Sequence, residues 1–496
     1  MVGALLLLVG LATAGWFGWN LPQPVTITAL PEGSVIVFDG STTATGTLRL
    51  SDITPGVYPV SVTHLGYQTL ETTLTVRHLL ATEQTYELTP LPQQVSVETS
   101  PSGAKVTLTP VGGDPVSGAS PYSGEVPSGQ VKLTVTHEGY NTYERTLSVD
   151  EPLDLTIFLD PEGQILHALG TIDTLGAPKG VSVTPDGREA WTSILNGPPS
   201  IEIFDTATGK KTGEVDIGEH GAVEVIFNEA GTLAYTSQME TAKCFEIDVA
   251  TRKVLREFKT GSSWTKWVEL SPDEKTLYAS NWVGDDVSVI DLTTGALVRR
   301  IPVSDTPRGM YATNDGRYLY VAGFDSGDLE RIDLETWSVK KLFTNGGALR
   351  HIVADEERGV LYISDMAKDT IWIHDMATGK TTKFADVDHK PNTIDLTPDG
   401  KVLFVSCRGA NNAVSYYMPG PEWGSILAFD TESGKPLDAL IAGNQPTALD
   451  VSSDGTLLMF SDFLDNRLRM YQIPSYDVLS ADNGGRYEAT RSEITK

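Results

Sequence analysis

The stretch SPDEKTLYASNWVGDDVSVIDLTTGA, residues 271 to 296, decides the fold of most of this 496-residue chain. It places a Pro-Asp turn before an apolar strand, TLYAS, and then a polar loop before a further strand that ends in Asp-Leu-Thr-Thr-Gly. Asp, Gly and Pro at such points favour the αL and type I geometries that connect antiparallel strands. The stretch therefore predicts a small antiparallel sheet.

The same pattern occurs seven times after residue 163. The turns are TPDG (184–187), NEAG (228–231), SPDE (271–274), TNDG (313–316), DEERG (355–359), TPDG (397–400) and SSDG (452–455). Measured between their last residues, these turns are 44, 43, 42, 43, 41 and 55 residues apart. Four short strands in roughly forty residues make one propeller blade. We therefore predict a seven-bladed β-propeller over residues 163–475, followed by a polar tail over 476–496.

These strands and turns closely resemble the YVTN family of β-propellers, which is found in surface-layer and exported proteins. They resemble the quinoprotein and lactonase-type propellers more loosely. The resemblance implies a fold and no particular activity, because the repeat is the scaffold. The seventh repeat ends at LRMYQI (468–473), one strand short, whereas QILHALGTIDTLGAP (164–178) supplies an extra strand. We expect that strand to complete the last blade and close the ring.

A shorter repeat precedes the propeller. PEGSVIVFDG at residue 31 is echoed by PSGAKVTLTP at residue 101, and each copy is followed by a Gly-Tyr pair, at Gly66 and at Gly139. Alternating Val, Leu and Thr between Pro and Gly predict short strands of a small sandwich. Both copies resemble PEGA domains, over residues 24–90 and 92–160. The resemblance implies an exported stalk or carbohydrate-facing module without catalytic residues.

The first nineteen residues, MVGALLLLVGLATAGWFGW, are apolar or small, and no charged residue occurs before Glu32. This composition predicts a transmembrane anchor or uncleaved signal over residues 1–20, with the membrane contacted through residues 1–19. Two alternatives stay open: cleavage after a signal of the Ala-Thr-Ala type at residues 12–14, and a longer chain that begins earlier. We expect an exported, single-pass anchored protein of the periplasm or cell surface.

Composition disfavours several classes of function. The 37 basic and 65 acidic side chains give a net charge of −28, which makes broad nucleic-acid binding unlikely because the surface would repel phosphate. Cys244 and Cys407 fall in blades two and six, and we expect two free, packed thiols. The eight histidines show no metal-ligand spacing, and nucleophile-elbow, phosphate-loop and dinucleotide motifs are missing from the sequence. We predict no catalytic residue, no metal and no cofactor.

One position recurs where the innermost strand of each blade begins. Alignment on the turns places there Lys179, Val223, Lys266, Arg308, Arg350, Asn392 and Thr447, with His351 as an alternative to Arg350. Four of these seven residues are cations, and the position should surround the channel mouth. The cations would then favour a carboxylate, a phosphate or an acidic peptide. Alternatively, each cation pairs with an acid of a neighbouring loop, such as Asp285, Asp286, Asp325, Asp328 or Asp365.

The long sixth interval contains an insertion, RGANNAVSYYMPGPEWG, at residues 408–424. In an antiparallel blade this loop lies on the same face as the start of the innermost strand, so it should lean toward the cationic mouth. Tyr416, Tyr417 and Trp423 offer rigid aromatic surface for recognition. The loop could equally be a plug for the channel, and the sequence does not separate a lid from a plug.

The sequence therefore indicates an all-β protein with an N-terminal membrane segment, two small β-sandwich domains and a seven-bladed propeller. The leading hypothesis is an envelope scaffold for ligand binding, adhesion or interaction. Its predicted site comprises Lys179, Lys266, Arg308, Arg350, Asn392, Tyr416, Tyr417 and Trp423. An anionic small molecule, a glycan or an acidic protein segment would suit it, and nucleic acid would not. The alternative is a propeller enzyme, either a lactonase-like hydrolase or an oxidoreductase subunit.

Overall fold

The computed structural model describes residues 21–481 together with residues 488, 494 and 495. Two compact units divide the described residues, one containing residues 21–137 and 142–156, the other residues 138–141 and 157–481. The predicted membrane segment, residues 1–20, lies outside the described residues. Within the described part of the chain, no helix has the length and apolar character needed to span a bilayer.

The first unit holds two copies of one β module. Each copy combines a three-stranded sheet with a four-stranded sheet, in the orders β4-β1-β7 and β3-β2-β5-β6, then β11-β8-β14 and β10-β9-β12-β13. The strands are β1 Gln23–Leu30, β2 Val35–Phe38, β3 Thr42–Thr45, β4 Thr47–Ile53, β5 Gly56–Thr63, β6 Leu70–Val76, β7 Thr82–Glu87, β8 Pro92–Ser100, β9 Lys105–Pro110, β10 Val116–Ala119, β11 Tyr122–Pro127, β12 Gly129–Thr136, β13 Tyr143–Val149 and β14 Leu153–Phe158. Alternate residues of these strands, such as Val25 and Ile27, are buried in a core between the two sheets.

The second unit is a ring of seven four-stranded antiparallel sheets. Blades one to four contain β16 Pro178–Val183, β17 Glu189–Ile194, β18 Ile201–Asp205, β19 Lys211–Val215; β20 Val225–Phe227, β21 Leu233–Gln238, β22 Lys243–Asp248, β23 Lys253–Lys259; β24 Thr265–Leu270, β25 Thr276–Asn281, β26 Asp286–Asp291, β27 Ala296–Pro302; and β28 Pro307–Ala312, β29 Tyr318–Gly323, β30 Asp328–Asp333, β31 Val339–Thr344. The first strand of each blade contacts the first strands of both neighbouring blades, so these strands line the central channel.

The remaining strands complete the ring. Blades five to seven contain β32 Leu349–Asp355, β33 Val360–Asp365, β34 Thr370–Asp375, β35 Thr381–Asp386; β36 Pro391–Leu396, β37 Val402–Cys407, β38 Ser425–Asp430, β39 Pro436–Ile441; and β40 Pro446–Val451, β41 Leu457–Asp462, β42 Arg467–Gln472 with β15 His167–Asp173. A 3₁₀ turn at Phe463–Asp465 and a short helix at Tyr476–Leu479 are the helical segments of this part. Leu479 is buried against blades six and seven, so the predicted polar tail begins with a packed segment.

Ring closure is confirmed. β15 pairs antiparallel with β42, with Ile172 opposite Leu468, and supplies the outer strand that the seventh repeat lacks. The side chain of Ile172 is 5% exposed and lies in a core formed by blades seven and one. Pairing the first strand with the last repeat removes the two open edges that an unclosed propeller would present.

The seven turns have the expected left-handed residue at their ends. Six of them end in glycine, and the third ends in Glu274, whose φ is 55° although it carries a side chain. The carboxylate of Glu274 accepts a hydrogen bond from the backbone N–H of Glu229 at 2.6 Å, in the preceding blade. This contact between blades accounts for a glutamate at a position that favours glycine.

Candidate functional site

The position predicted to surround the channel mouth is structurally equivalent from blade to blade. A serine of the preceding blade's second strand donates to its carbonyl oxygen, as Ser237 does to Lys266 and Ser280 does to Arg308. The next residue donates its N–H to a serine of its own blade, as His351 does to Ser364. Arg350 therefore occupies the equivalent position in blade five, and His351 follows it.

A break in strand register accompanies this position in six blades. The pairing of the first and second strands shifts between residues 178 and 180, 265 and 267, 307 and 310, 349 and 352, 391 and 394, and 446 and 449. Such bulges re-aim side chains and are common beside functional sites. Each of these shifts contains one of the seven aligned residues, which are called the ring residues below. The side chains of several ring residues converge at the channel mouth.

Five basic side chains come together there. They are Lys179, Lys266, Arg308, Arg350 and Arg408. Arg308 is 2% exposed, and its Nη2 donates to Oε1 of Glu224 at 2.8 Å. Burial raises the pKa of Glu224, while Arg308, Arg350 and Lys179 act in the opposite direction. One carboxylate thus offsets a buried group of positive charges that outnumbers it.

The crowding of positive charge perturbs both lysines. Burial, then Arg350, Arg408 and Arg308, hold the pKa of Lys179 well below its ordinary value. Burial and the same kind of repulsion, led by Arg308, lower the pKa of Lys266 to about 6. Arginine side chains remain protonated in proteins. The site therefore favours any group that brings negative charge to it.

The alternative of an ion-paired rim is wrong for three of the acids considered. Asp286 pairs with Arg300 at 2.7 Å, and Asp328 pairs with Lys341 at 2.6 Å, both pairs within their own blades. Asp365 accepts hydrogen bonds from the side chain of Asn345, at 2.6 Å, and from that of Trp372. These carboxylates hold the loops and strands of their own blades together, and they do not pair with the ring cations.

Three buried donors at the mouth have no hydrogen-bond acceptor within residues 21–481. They are Nη1 of Arg308, Nδ2 of Asn392 and Nε of Arg408, on side chains of residues that are 2%, 0% and 5% exposed. One other polar atom of two of these side chains is used, since Oδ1 of Asn392 accepts from Nε of Arg350 and Nη2 of Arg408 donates to Gln445. Buried donors without acceptors are costly and uncommon, so they mark a place where an acceptor belongs.

A cavity of about 430 Å³ opens at this mouth. Its lining comprises Lys179, Lys266, Trp282, Phe324, Ala348, Arg350, Met366, Ala367, Lys390, Arg408, Asn411 and Tyr416. Nζ of Lys266 lies 3.6 Å from the centre of the Trp282 ring. The centres of the Trp282 and Phe324 rings are 4.8 Å apart. Cations and aromatic rings therefore border the same space.

The insertion contributes one wall of this cavity. Nζ of Lys179 lies 3.2 Å from the hydroxyl oxygen of Tyr416, and Arg408 lies over the Tyr416 ring at 4.4 Å. Tyr417 contacts Tyr416 edge to face but is 61% exposed, and it does not line the cavity. Trp423 does not line it either, and its backbone N–H donates to the carbonyl oxygen of Ile494 at 2.8 Å. Of the three predicted aromatic residues, the structure brings Tyr416 alone into this cavity.

The opposite end of the channel has the reverse charge. A second cavity, of about 850 Å³, is bordered there by Glu269, Asp395 and Glu356. Glu269 accepts from the backbone N–H of Ala312 at 3.2 Å, and Asp395 accepts from that of Val451 at 2.8 Å. Burial raises the pKa of Glu269 to about 7 and that of Asp395 to about 6. These carboxylates disfavour an anion at this end.

Comparison with known proteins places the chain in a family. The PEGA domain family matches residues 23–92 and 93–162, and the family of seven-bladed lactonase propellers matches residues 225–345. Antigen Lp49 of Leptospira interrogans is 32% identical over 356 residues, which are 69% of this chain and 78% of that protein. The chain belongs to the same family as Antigen Lp49. The prediction of two PEGA domains and a seven-bladed propeller is confirmed.

Other similarities of this Lp49-family chain bear on its fold. The seven-bladed β-propeller protein Rv1057 of Mycobacterium tuberculosis is 33% identical over 145 residues, which are 28% of this chain and 36% of that protein. A chain of Kuenenia stuttgartiensis hydrazine synthase superposes with a TM-score of 0.52 at 19% identity, over 60% of this chain and 96% of that one. At that identity, the likeness extends to the fold alone.

Two important members of the site were not predicted from the sequence. Arg408 begins the insertion, directly after β37, and Glu224 follows the neutral ring residue Val223. Arg408 directly follows the last residue of β37, at the end of that strand nearest the channel mouth. Its position in the sequence could therefore have suggested that it belongs to the site. No comparable signal distinguishes Glu224 from the many other acids of this chain.

Proposed function

We propose that this member of the Lp49 family is an exported interaction protein whose propeller binds a small anionic ligand at its channel mouth. PEGA domains are typical of periplasmic or extracellular proteins, and two of them precede the propeller. The segment at residues 1–19 is proposed to attach the chain to a membrane. The observation that carries the ligand proposal is the set of buried donors without acceptors among five basic side chains.

The physical argument rests on desolvation. Removing several cations from water is expensive unless opposite charge compensates them, and Glu224 supplies one such charge. An anion in the cavity beside Arg350 and Arg408 would supply another and could accept from the unused Nε of Arg408. Guanidinium groups suit carboxylate and phosphate oxygens because they can donate two parallel hydrogen bonds. The alternative of a propeller enzyme is not favoured. The basic residues of this site are suited to binding negative charge, and no catalytic residue is predicted among them.

Replacing Arg350 with glutamine tests the proposal directly. We expect at least a tenfold loss in affinity for inorganic phosphate or acetate, measured by isothermal titration calorimetry, because one of the central charges is removed. Arg188→Gln is the matched control, since the side chain of Arg188 is 84% exposed and lies away from the mouth. The proposal fails if no phosphate or carboxylate compound binds the unmodified protein, or if both variants bind such anions as well as it does.

The lowered lysine pKa gives the binding a pH dependence of definite sign. Free Lys266, with a pKa of about 6, is mostly neutral at pH 8, whereas a nearby anion favours its charged form and raises that pKa. Binding therefore takes up a proton above pH 6, and affinity falls as pH rises, by up to about tenfold per unit for each lysine involved. Calorimetric titrations with acetate, which stays ionised throughout this range, between pH 6 and 9 in two buffers of different ionisation heat measure this proton uptake. Lys266→Met should make the dependence shallower, and an affinity independent of pH would contradict the expectation.

A further inference from the structure

We infer that the ligand is a small amphipathic anion, with a carboxylate or phosphate head and a flat apolar body. This inference rests on the proposed function and adds the part of the ligand that is not charged. The lining of the cavity has two chemically different parts. Lys179, Arg350 and Arg408 belong to the basic part, and Trp282, Phe324 and Met366 belong to the apolar part.

The apolar part of the lining is exposed to the cavity and is available to a ligand. Trp282 and Phe324 are partly exposed where they border the cavity, and their rings lie 4.8 Å apart at 44°, so they form a continuous aromatic surface. Met366 also lines the cavity, and a methionine side chain adapts readily to different shapes. An inorganic anion would satisfy the arginines but would leave this surface in water. A ring attached to the anion would cover it.

Lys266 lies close to both the basic and the apolar parts of the lining. Its Nζ lies over the Trp282 ring at 3.6 Å, and Arg308 and Lys179 contribute to lowering its pKa, so it lies between the aromatic surface and the cation group. A ligand that placed its head near Arg350 would pass Lys266 and lay its body along Trp282. Tyr416 borders the cavity on the side of the insertion, where its hydroxyl oxygen contacts Lys179.

The dimensions of the cavity indicate a small molecule. Ligand cavities in proteins commonly measure about 300–1,000 Å³, and 430 Å³ lies toward the lower end of that range. Such a space accommodates one ring and a short anionic group. It does not accommodate a folded partner.

Matched pairs of probes separate the head from the body. Inorganic phosphate is compared with phenyl phosphate, and acetate with phenylacetate, on the full chain by calorimetry and by the change in tryptophan fluorescence. We expect each phenyl compound to bind at least tenfold more tightly than its small counterpart. This comparison uses the unmodified protein and so does not depend on the folding of any variant.

Two variants then assign the preference to the aromatic surface. Trp282→Ala should abolish the preference for the phenyl compounds, so that each phenyl compound binds no more tightly than its small counterpart, and Trp282→Phe should keep the preference. Trp337→Ala, which changes a tryptophan that does not border the cavity, should leave both unchanged. Equal binding of small and phenyl anions to the unmodified protein overturns this inference and leaves the proposed function standing. Failure of every probe to bind overturns both.

Discussion

Replacing Glu224 with glutamine is expected to destabilise the propeller by about 3–5 kcal/mol, the usual result of removing one partner of a buried ion pair. Its carboxylate holds Arg308 at 2.8 Å, and the side chain of Arg308 is 2% exposed. The variant leaves that guanidinium, and the other cations near it, without the carboxylate that offsets them. The free energy of unfolding, measured with urea at pH 7, is the quantity to compare.

The chain offers a matched control for this experiment. Lys243 and Glu257 also form a pair at 2.8 Å, but their side chains are 27% and 51% exposed. Glu257→Gln should cost no more than about 1 kcal/mol, because water screens an exposed pair. If the two variants lose similar stability, burial of the Arg308 pair contributes nothing, and the charge argument for the mouth is wrong.

Ligand binding should partly restore the Glu224→Gln variant. An anion that binds the folded state raises stability with its concentration, and the variant has one more uncompensated positive charge to attract it. Inorganic phosphate should therefore raise the urea midpoint of Glu224→Gln more than that of the unmodified protein. An equal rise in Glu257→Gln would show a general salt effect instead of binding at the mouth.

The fold was largely predictable because its signals are local and repeated. Each blade carries its own turn and strands, so seven copies of a weak pattern reinforce one another, and the third copy was recognisable although Glu274 replaces the usual glycine. The closing strand was predictable for the same reason, since a repeat that ends one strand short requires a partner. The ring residues were predictable because they occupy the same position, counted from the turn, at the start of the first strand of each blade.

The site was predictable only in part, because loops do not follow the repeat. Tyr416 and Tyr417 are adjacent in the sequence, yet one borders the cavity and the other is mostly exposed. Their orientation depends on packing, since the carbonyl oxygen of Tyr416 accepts from Gln445 at 2.9 Å and its ring lies against Arg408. The charge of an acidic residue also did not reveal which basic residue it pairs with. Asp286 and Asp328 were considered as partners of the ring residues, but they pair with Arg300 and Lys341 on the outer strands of their own blades.

Closure of the ring makes the first propeller strand a sensitive point. Ile172, in β15, is 5% exposed and packs in a core with Met470, Leu468 and Phe204. Ile172→Asp would bury a carboxylate without a partner and would also remove apolar contacts, so we expect a loss of at least about 4 kcal/mol in the free energy of unfolding. Because β15 is an outer strand that is hydrogen-bonded in its sheet to β42 alone, and the variant disrupts its apolar packing, the variant should release it before the other blades unfold.

Limited proteolysis and urea unfolding together test that order of events. In Ile172→Asp, cleavage near residues 167–179 should become rapid at urea concentrations where the fluorescence of the remaining blades is unchanged. Leu175→Asp is the control, because Leu175 lies just beyond the strand and is 71% exposed, and it should behave like the unmodified protein. Should Ile172→Asp unfold in a single step without early cleavage, the seven blades form one cooperative unit in which the closing strand is no weaker than the others. Should it unfold at the same urea concentration as Leu175→Asp, the closing strand contributes little, and the ring is held by contacts between the innermost strands.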